Sequence, residues 1–178
     1  MLTNNYLSYI EYLVAGTTPT FKDAAGDFVK ASMGTYGNLG FSTIMDRLKV
    51  LGDFVVTNKT SGNVSYGVFF GSGSTPASRS DYTIESILKE SSGLSNKMKS
   101  VASSRDDAGN VCIHGFYSME NTNATAEISI SELCLFGFVR DSSEYYHNVL
   151  VDRTVLENPI VLKPGEEKLI TYKFTFGW

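Results

Sequence analysis

The sequence predicts a mainly β fold: an antiparallel β-sandwich or jelly-roll-like domain behind a partly helical or irregular N-terminal arm. Three observations carry that prediction. Near the C-terminus, Leu169, Thr171, Lys173 and Thr175 alternate with Ile170, Tyr172, Phe174 and Phe176, the period of two expected of a strand with one buried face. Apolar runs rich in β-branched and aromatic residues recur between turn signals along the chain, enough for at least six short strands. The composition agrees: ten Tyr, eleven Phe and sixteen Gly with only 19% charged residues suit sheets and extended protein contacts better than a helical bundle.

A chain of 178 residues can build one domain with a real core, or a domain plus an appended arm. The composition shift divides it into an arm over 1–52, dependent on partners, and a β-domain over 53–178. A net charge of −4 without any Lys/Arg stripe argues against a nucleic-acid partner. No apolar run reaches the ~18 residues of a membrane span. Met1-Leu-Thr-Asn-Asn lacks a basic region followed by an apolar stretch, so synthesis in a cytoplasm is expected.

Taken in order, Tyr6, Tyr9, Ile10, Leu13 and Val14 fall at helical spacing, although Tyr6, Ile10, Tyr12 and Val14 also fit alternation. The reading favours a helix, broken by Gly16-Thr-Thr-Pro-Thr20. Residues 21–40 are punctuated by Gly26, Gly34, Gly37 and Gly40 and read as an irregular arm that orders best against something else. The apolar residues of the arm, Tyr6, Tyr9, Ile10, Leu13, Phe21, Phe28 and Phe41, together with Trp178, are therefore the candidate interaction residues. Residues 42–52 suit a short helix, with Ser42 as N-cap, Ile44, Leu48 and Leu51 on one stripe, and Gly52 as its stop.

The β-rich part opens with strands over 54–57 and 64–70, joined by a turn over 60–63. Gly71-Ser-Gly73 after a strand suggests a phosphate cradle, but no Lys-Ser/Thr follows and Pro76 blocks a helix start, so a plain loop is expected. Residues 84–88 form a short apolar element, and 90–109 read as polar and Ser-rich. Asp106, Asp107 and Asn110 invite a calcium reading, yet the EF-hand order and its distal Glu are missing, which favours a turn. Strands follow over 111–119 and 126–139, with Ile128, Ile130, Cys134, Phe136 and Phe138 on one face. A hairpin centred near Asn123 would set Cys112 opposite Cys134, within disulfide reach; in a cytoplasm two buried thiols are expected instead. The last strands are expected over 159–162, with Pro159 at the start, and after the turn Lys163-Pro-Gly-Glu166.

Catalytic and metal patterns are weak. His114 shares a strand face with Cys112, but the only other histidine is His147, and no spacing suits zinc or a Cys–His nucleophile with an orienting group. There is no Gly-x-Ser-x-Gly elbow, and Asp106-Asp107 and Glu166-Glu167 sit in turn-like polar runs. Three Asn-x-Ser/Thr tripeptides, at Asn58, Asn63 and Asn123, carry little weight without a secretion signal. The expectation is a protein that is not an enzyme and uses no cofactor or metal.

Two stretches together resemble a known class. Tyr66-Gly-Val-Phe-Phe-Gly-Ser-Gly-Ser-Thr-Pro-Ala-Ser-Arg-Ser-Asp-Tyr-Thr-Ile-Glu85 resembles a segment of tailed-bacteriophage virion proteins in which a strand leads into Gly-x-Gly-Thr-Thr-Pro and Asp-Tyr-x-Leu-Glu. Leu150-Val-Asp-Arg-Thr-Val-Leu-Glu-Asn-Pro-Ile-Val-Leu-Lys-Pro-Gly-Glu166, followed by Ile170-Thr-Tyr172, resembles their closing β-hairpin. Glu132-Leu-Cys-Leu-Phe-Gly137 is similar to their Glu-x-Gly-Leu-Phe strand, with Cys134 where glycine is frequent. The resemblance covers residues 54–178. It implies a β-sandwich in a phage particle, as a tail, collar or capsid-attached component. The arm's unburied apolar residues add the expectation of assembly with other virion proteins and as a homo-oligomer, and the missing signal peptide that of synthesis in the host cytoplasm. The alternative is a receptor- or carbohydrate-binding module of a phage fibre, with Tyr145, Tyr146 and Trp178 as stacking platforms for a host-surface glycan.

Overall fold

The computed structural model describes residues 1–15, 18–31, 54–58, 62–143 and 145–176. Helix α1 (Asn4–Ala15) leads into a small hairpin of β1 (Thr20–Lys22) and β2 (Phe28–Lys30). Seven longer elements follow: β3 (Phe54–Asn58), β4 (Gly62–Gly71), β5 (Leu94–Arg105), β6 (Val111–Asn121), β7 (Ile128–Arg140), β8 (Tyr146–Leu162) and β9 (Glu167–Phe176). They form two antiparallel sheets, ordered β3-β4-β7-β8 and β5-β6-β9. The mainly β, sandwich-like class expected from the sequence is therefore the class observed.

The main core lies between the sheets. Val68, Phe70, Ile130, Leu135 and Leu162 come from one sheet and Leu94, Tyr117, Met119 and Tyr172 from the other. Phe70 and Tyr117 meet edge to face across the gap, with ring centroids 5.6 Å apart, an arrangement that suits the aromatic quadrupoles. Burial raises the Tyr117 phenol above its ordinary pKa. Of the expected β9 face, Ile170 and Tyr172 are buried, while Leu169 on the other face is 67% exposed; the side chains of Phe174 and Phe176 lie outside the described residues.

Strand β7 is buried on both faces, which corrects the single face expected for it. The register with β8 shifts between Ile130 and Glu132 and again between Leu135 and Phe136. Such irregularities flip the phase of the alternation. Ile128, Ile130, Leu133 and Leu135 thus enter the main core, while Cys134 and Phe136 pack on the other side with Ile84 and Leu150. Pro159 falls where β8 carries extra residues between Val155 and Ile160, a position at which a missing ladder donor is tolerated. It does not begin a separate strand.

Neither expected hairpin among the late strands forms. β6 and β7 belong to different sheets, as do β8 and β9. Cys112 lies beside Ser104 and Thr175, and Cys134 beside Phe69 and Arg153; both are free and buried. Both crossovers are held by Asn121, which is fully buried. Its side-chain amide donates to the carbonyls of Ala126 (2.8 Å) and Leu162 (2.9 Å), and its Oδ1 accepts from the Asn123 N–H (3.0 Å). Its own N–H donates to Glu166 O (3.0 Å) and its carbonyl accepts from the Gly165 N–H (2.8 Å). Gly165 has φ of 72°, the left-handed value that the turn requires and that glycine adopts without strain.

Two stretches expected to lack strands contain them. The segment 94–105 is β5, paired with β6 from Leu94↔Asn121 to Arg105↔Val111. Within 21–40, β1 and β2 pair as Phe21↔Val29. The helix expected over 42–52 lies outside the described residues.

Candidate functional site

Of the candidate interaction residues, Tyr6 and Phe21 are core residues, at 8% and 0% exposure. They are spent on the chain's own sandwich, which corrects their assignment to a neighbour. Ile10 packs against the same core. Phe28 is 78% exposed at the start of β2. Tyr9 and Leu13 lie on α1; their side chains, and all of Phe41 and Trp178, lie outside the described residues. The physical cause of the correction is the free edge of β8. Leu2 bridges Asp152 and Asp23 bridges Val149. The Thr3 N–H donates to Val151 O (3.0 Å), the Ala24 N–H to Asn148 O (2.9 Å) and the Arg153 N–H to Met1 O (3.1 Å). Residues 1–3 and 23–24 therefore strap an edge that would otherwise present bare backbone. Asn5 ties strap to hairpin: its Nδ2 donates to Lys22 O (2.7 Å) and its Oδ1 accepts from the Lys22 N–H (2.7 Å).

The histidines are also engaged. His114 lies 2.9 Å through Nε2 from Ser104 Oγ and stacks on Phe116. His147 sits between Asp23 Oδ2 (3.0 Å through Nδ1) and Asp141 Oδ2 (3.2 Å through Nε2), joining the β1–β2 turn to the β7–β8 turn. Asp106 closes its turn by accepting from the N–H groups of Ala108 (3.1 Å) and Asn110 (2.9 Å). Among the described residues no group of His, Cys, Asp and Glu is arranged to hold a metal ion.

One polar cluster is deeply buried. The register places Arg153 opposite Cys134, on the outer face of the four-stranded sheet. Its Nε donates to Glu132 Oε1 (2.6 Å) and its Nη1 to Asp81 Oδ2 (2.7 Å), and its Nη2 lies 3.5 Å from Glu85 Oε2. Glu132 is fully buried and also accepts from the N–H groups of Glu85 (3.1 Å) and Ser86 (3.4 Å). Glu85 accepts in turn from Ser74 (3.0 Å) and Thr75 (2.9 Å); those bonds, the Thr75 one foremost, hold its carboxyl below the ordinary range. The loop over 72–86 is thereby clamped onto the sheet. A Cβ on Gly71 or Gly73 would stand 2.6 or 2.5 Å from Glu132 Oε2, so these glycines permit a close approach of backbone to carboxylate rather than a phosphate cradle. Burial pushes the Cys134 thiol pKa up, and the neighbouring Glu132 charge adds to it.

A cleft of roughly 480 Å³ opens beside the strap, lined by Met1, Leu2, Leu7, Arg79, Lys173 and Thr175, with Asp152 and Thr154. Asp152 is already neutralised: the Met1 ammonium lies 3.0 Å from its Oδ1, and the Tyr172 hydroxyl donates to its Oδ2. Burial, and then the Asp152 charge, keeps the Tyr172 phenol protonated far above its ordinary pKa. Arg79 and Lys173 carry no salt bridge among the described residues. Sequence reasoning missed both the clamp and the cleft. Its available signal was Asp152-Arg153, two charges inside an apolar strand run, where unpaired burial would be prohibitive.

No family model, curated protein or solved structure matches the chain.

Proposed function

We propose that this protein is a structural component of a tailed-bacteriophage particle, working by assembly with other virion proteins and with copies of itself. One observation supports the reading most. The three stretches that carry the resemblance are far apart in sequence, yet their charged residues meet in one cluster: Asp81 and Glu85 from the first, Glu132 from the second, Arg153 from the third. The shared pattern is then the hold of a loop on a sheet, an architectural requirement rather than a reactive one. Phe28 and Leu169, 78% and 67% exposed, are single apolar side chains on different elements that contacts with other subunits could cover.

The test is labelling. An antiserum raised against the purified protein should decorate tailed particles from its source at discrete, repeated positions in electron micrographs. Unlabelled particles, with the protein confined to the particle-free fraction, would overturn the proposal. A glycan array run on the same protein covers the fibre alternative, for which Tyr145, 39% exposed, is the described candidate platform.

A further inference from the structure

We infer that the edge of β9 left without a strand neighbour among the described residues, together with the cleft beside it, is a docking site for an extended acidic peptide segment of a neighbouring protein, which adds to the sheet as a strand. Among the described residues the sandwich has four edge strands, and three are guarded. β8 is strapped by residues 1–3 and 23–24. β3 spans only five residues. β5 shifts register between Met98 and Ser100, and such a bulge discourages pairing. β9 differs from all three. Its register with β6 runs without a break from Val111↔Phe176 to Glu120↔Glu167, and no strand covers its other side among the described residues. A long, regular edge of this kind is a template for strand addition, with main-chain hydrogen bonds giving affinity and side-chain pockets giving specificity.

Charge selects the occupant. The protein carries a net −4, yet Arg79 and Lys173 face this cleft and neither makes a salt bridge among the described residues. Lys173 interacts only electrostatically with Asp106, whose carboxylate is bonded within its own turn to Ala108 and Asn110. The Asp152 carboxylate that might have answered them is held by the Met1 ammonium and the Tyr172 hydroxyl. Leu2 and Leu7 supply an apolar wall. A strand alternating acidic and aliphatic residues matches both features, setting carboxylates toward the cations and aliphatic groups toward the leucines. The inference rests on the assembly reading only in taking the partner to be a protein.

Fluorescence anisotropy with a labelled, end-blocked peptide of four Glu-Val repeats tests it on the full chain. The peptide should bind, and a Lys-Val peptide should not. The charge-reversing pair Arg79→Glu and Lys173→Glu should weaken binding by about tenfold, as loss of two exposed ion pairs allows, at an unchanged melting midpoint. Both side chains are exposed; because Lys173 also interacts with Asp106, Arg79→Glu alone is the second variant, and it too should weaken binding at an unchanged midpoint. A Glu-Val peptide N-methylated at alternate residues, which lacks the donors a strand needs, should lose binding. Equal binding of the two peptides, unaltered binding by the reversed variant, or retention of the N-methylated peptide would each overturn the inference. Particle labelling is independent of all three results.

Discussion

Arg153 and Glu132 illustrate how much of this fold rests on single side chains. Both are almost fully buried, at 3% and 0% exposure, so removing one charge strands the other. Arg153→Met should cost about 3–5 kcal/mol, the usual penalty for breaking a buried pair from one side. Adding Glu132→Gln should recover part of it, because the lone charge is gone and the amide oxygen still accepts from one of the Glu85 and Ser86 N–H groups, which meet different oxygens of Glu132. Urea denaturation of the two variants measures the difference. Asn121 is comparable among neutral residues. Asn121→Asp keeps the shape but replaces the two donated bonds to Ala126 and Leu162 with facing oxygens, and should cost about 2–4 kcal/mol. Cys134, its thiol pKa raised by burial, should resist iodoacetamide in the native protein and react on unfolding; alkylation followed by mass spectrometry reads this directly.

Among the elements, the N-terminal strap and hairpin are the pieces whose role differs most from their appearance in sequence. Phe21, fully buried in the main core, should behave as a core residue. Phe21→Ala is expected to lower stability by about 3–5 kcal/mol, measured by thermal or urea unfolding. Strands with strong alternation, such as β9, were legible from the chain alone, and so was the helix at Asn4–Ala15. β5 was not. Its sequence, Leu-Ser-Asn-Lys-Met-Lys-Ser-Val-Ala-Ser-Ser-Arg, is mostly polar because it is an edge strand, so its state is imposed by pairing with β6. The crossovers at Asn121 were equally hidden, since a turn between two apolar runs reads alike whether the strands pair or part into separate sheets. Phase shifts in β7 and β8 arise from the pairing partner and left no mark on the local pattern. The clamp could only emerge once Asp81, Glu85, Glu132 and Arg153 were brought together by the fold.

For the molecule as a whole, acid is the condition that exposes these dependencies. Four carboxyls are held below their ordinary range: Glu85 by the Thr75 bonds, Asp106 by Asn110, Glu166 by the Lys163 N–H, and Asp141 by His147 and its turn amides against an opposing effect of burial. A carboxyl with a lower pKa folded than unfolded stabilises the fold above the unfolded value, and that contribution disappears as pH falls through the folded one. Stability should therefore hold from neutrality to about pH 5 and decline steadily below about pH 4.5. Urea midpoints across that range would reveal it, and a midpoint that rises on acidification would contradict the assignment.

The strap on β8 also has a bearing on how the chain is made. Met1 and Thr3 are bonded to Arg153 and Val151, so residues 1–3 find their seat only after β8, about 150 residues later in the chain, has been made. Until then Tyr6 and Phe21 have no core to enter. Contacts separated this widely in sequence slow folding and prolong the exposure of apolar surface. During that interval the margin of β8 and the aromatic residues Tyr6 and Phe21 are uncovered together, so a refolding yield that falls with rising protein concentration is the expected outcome.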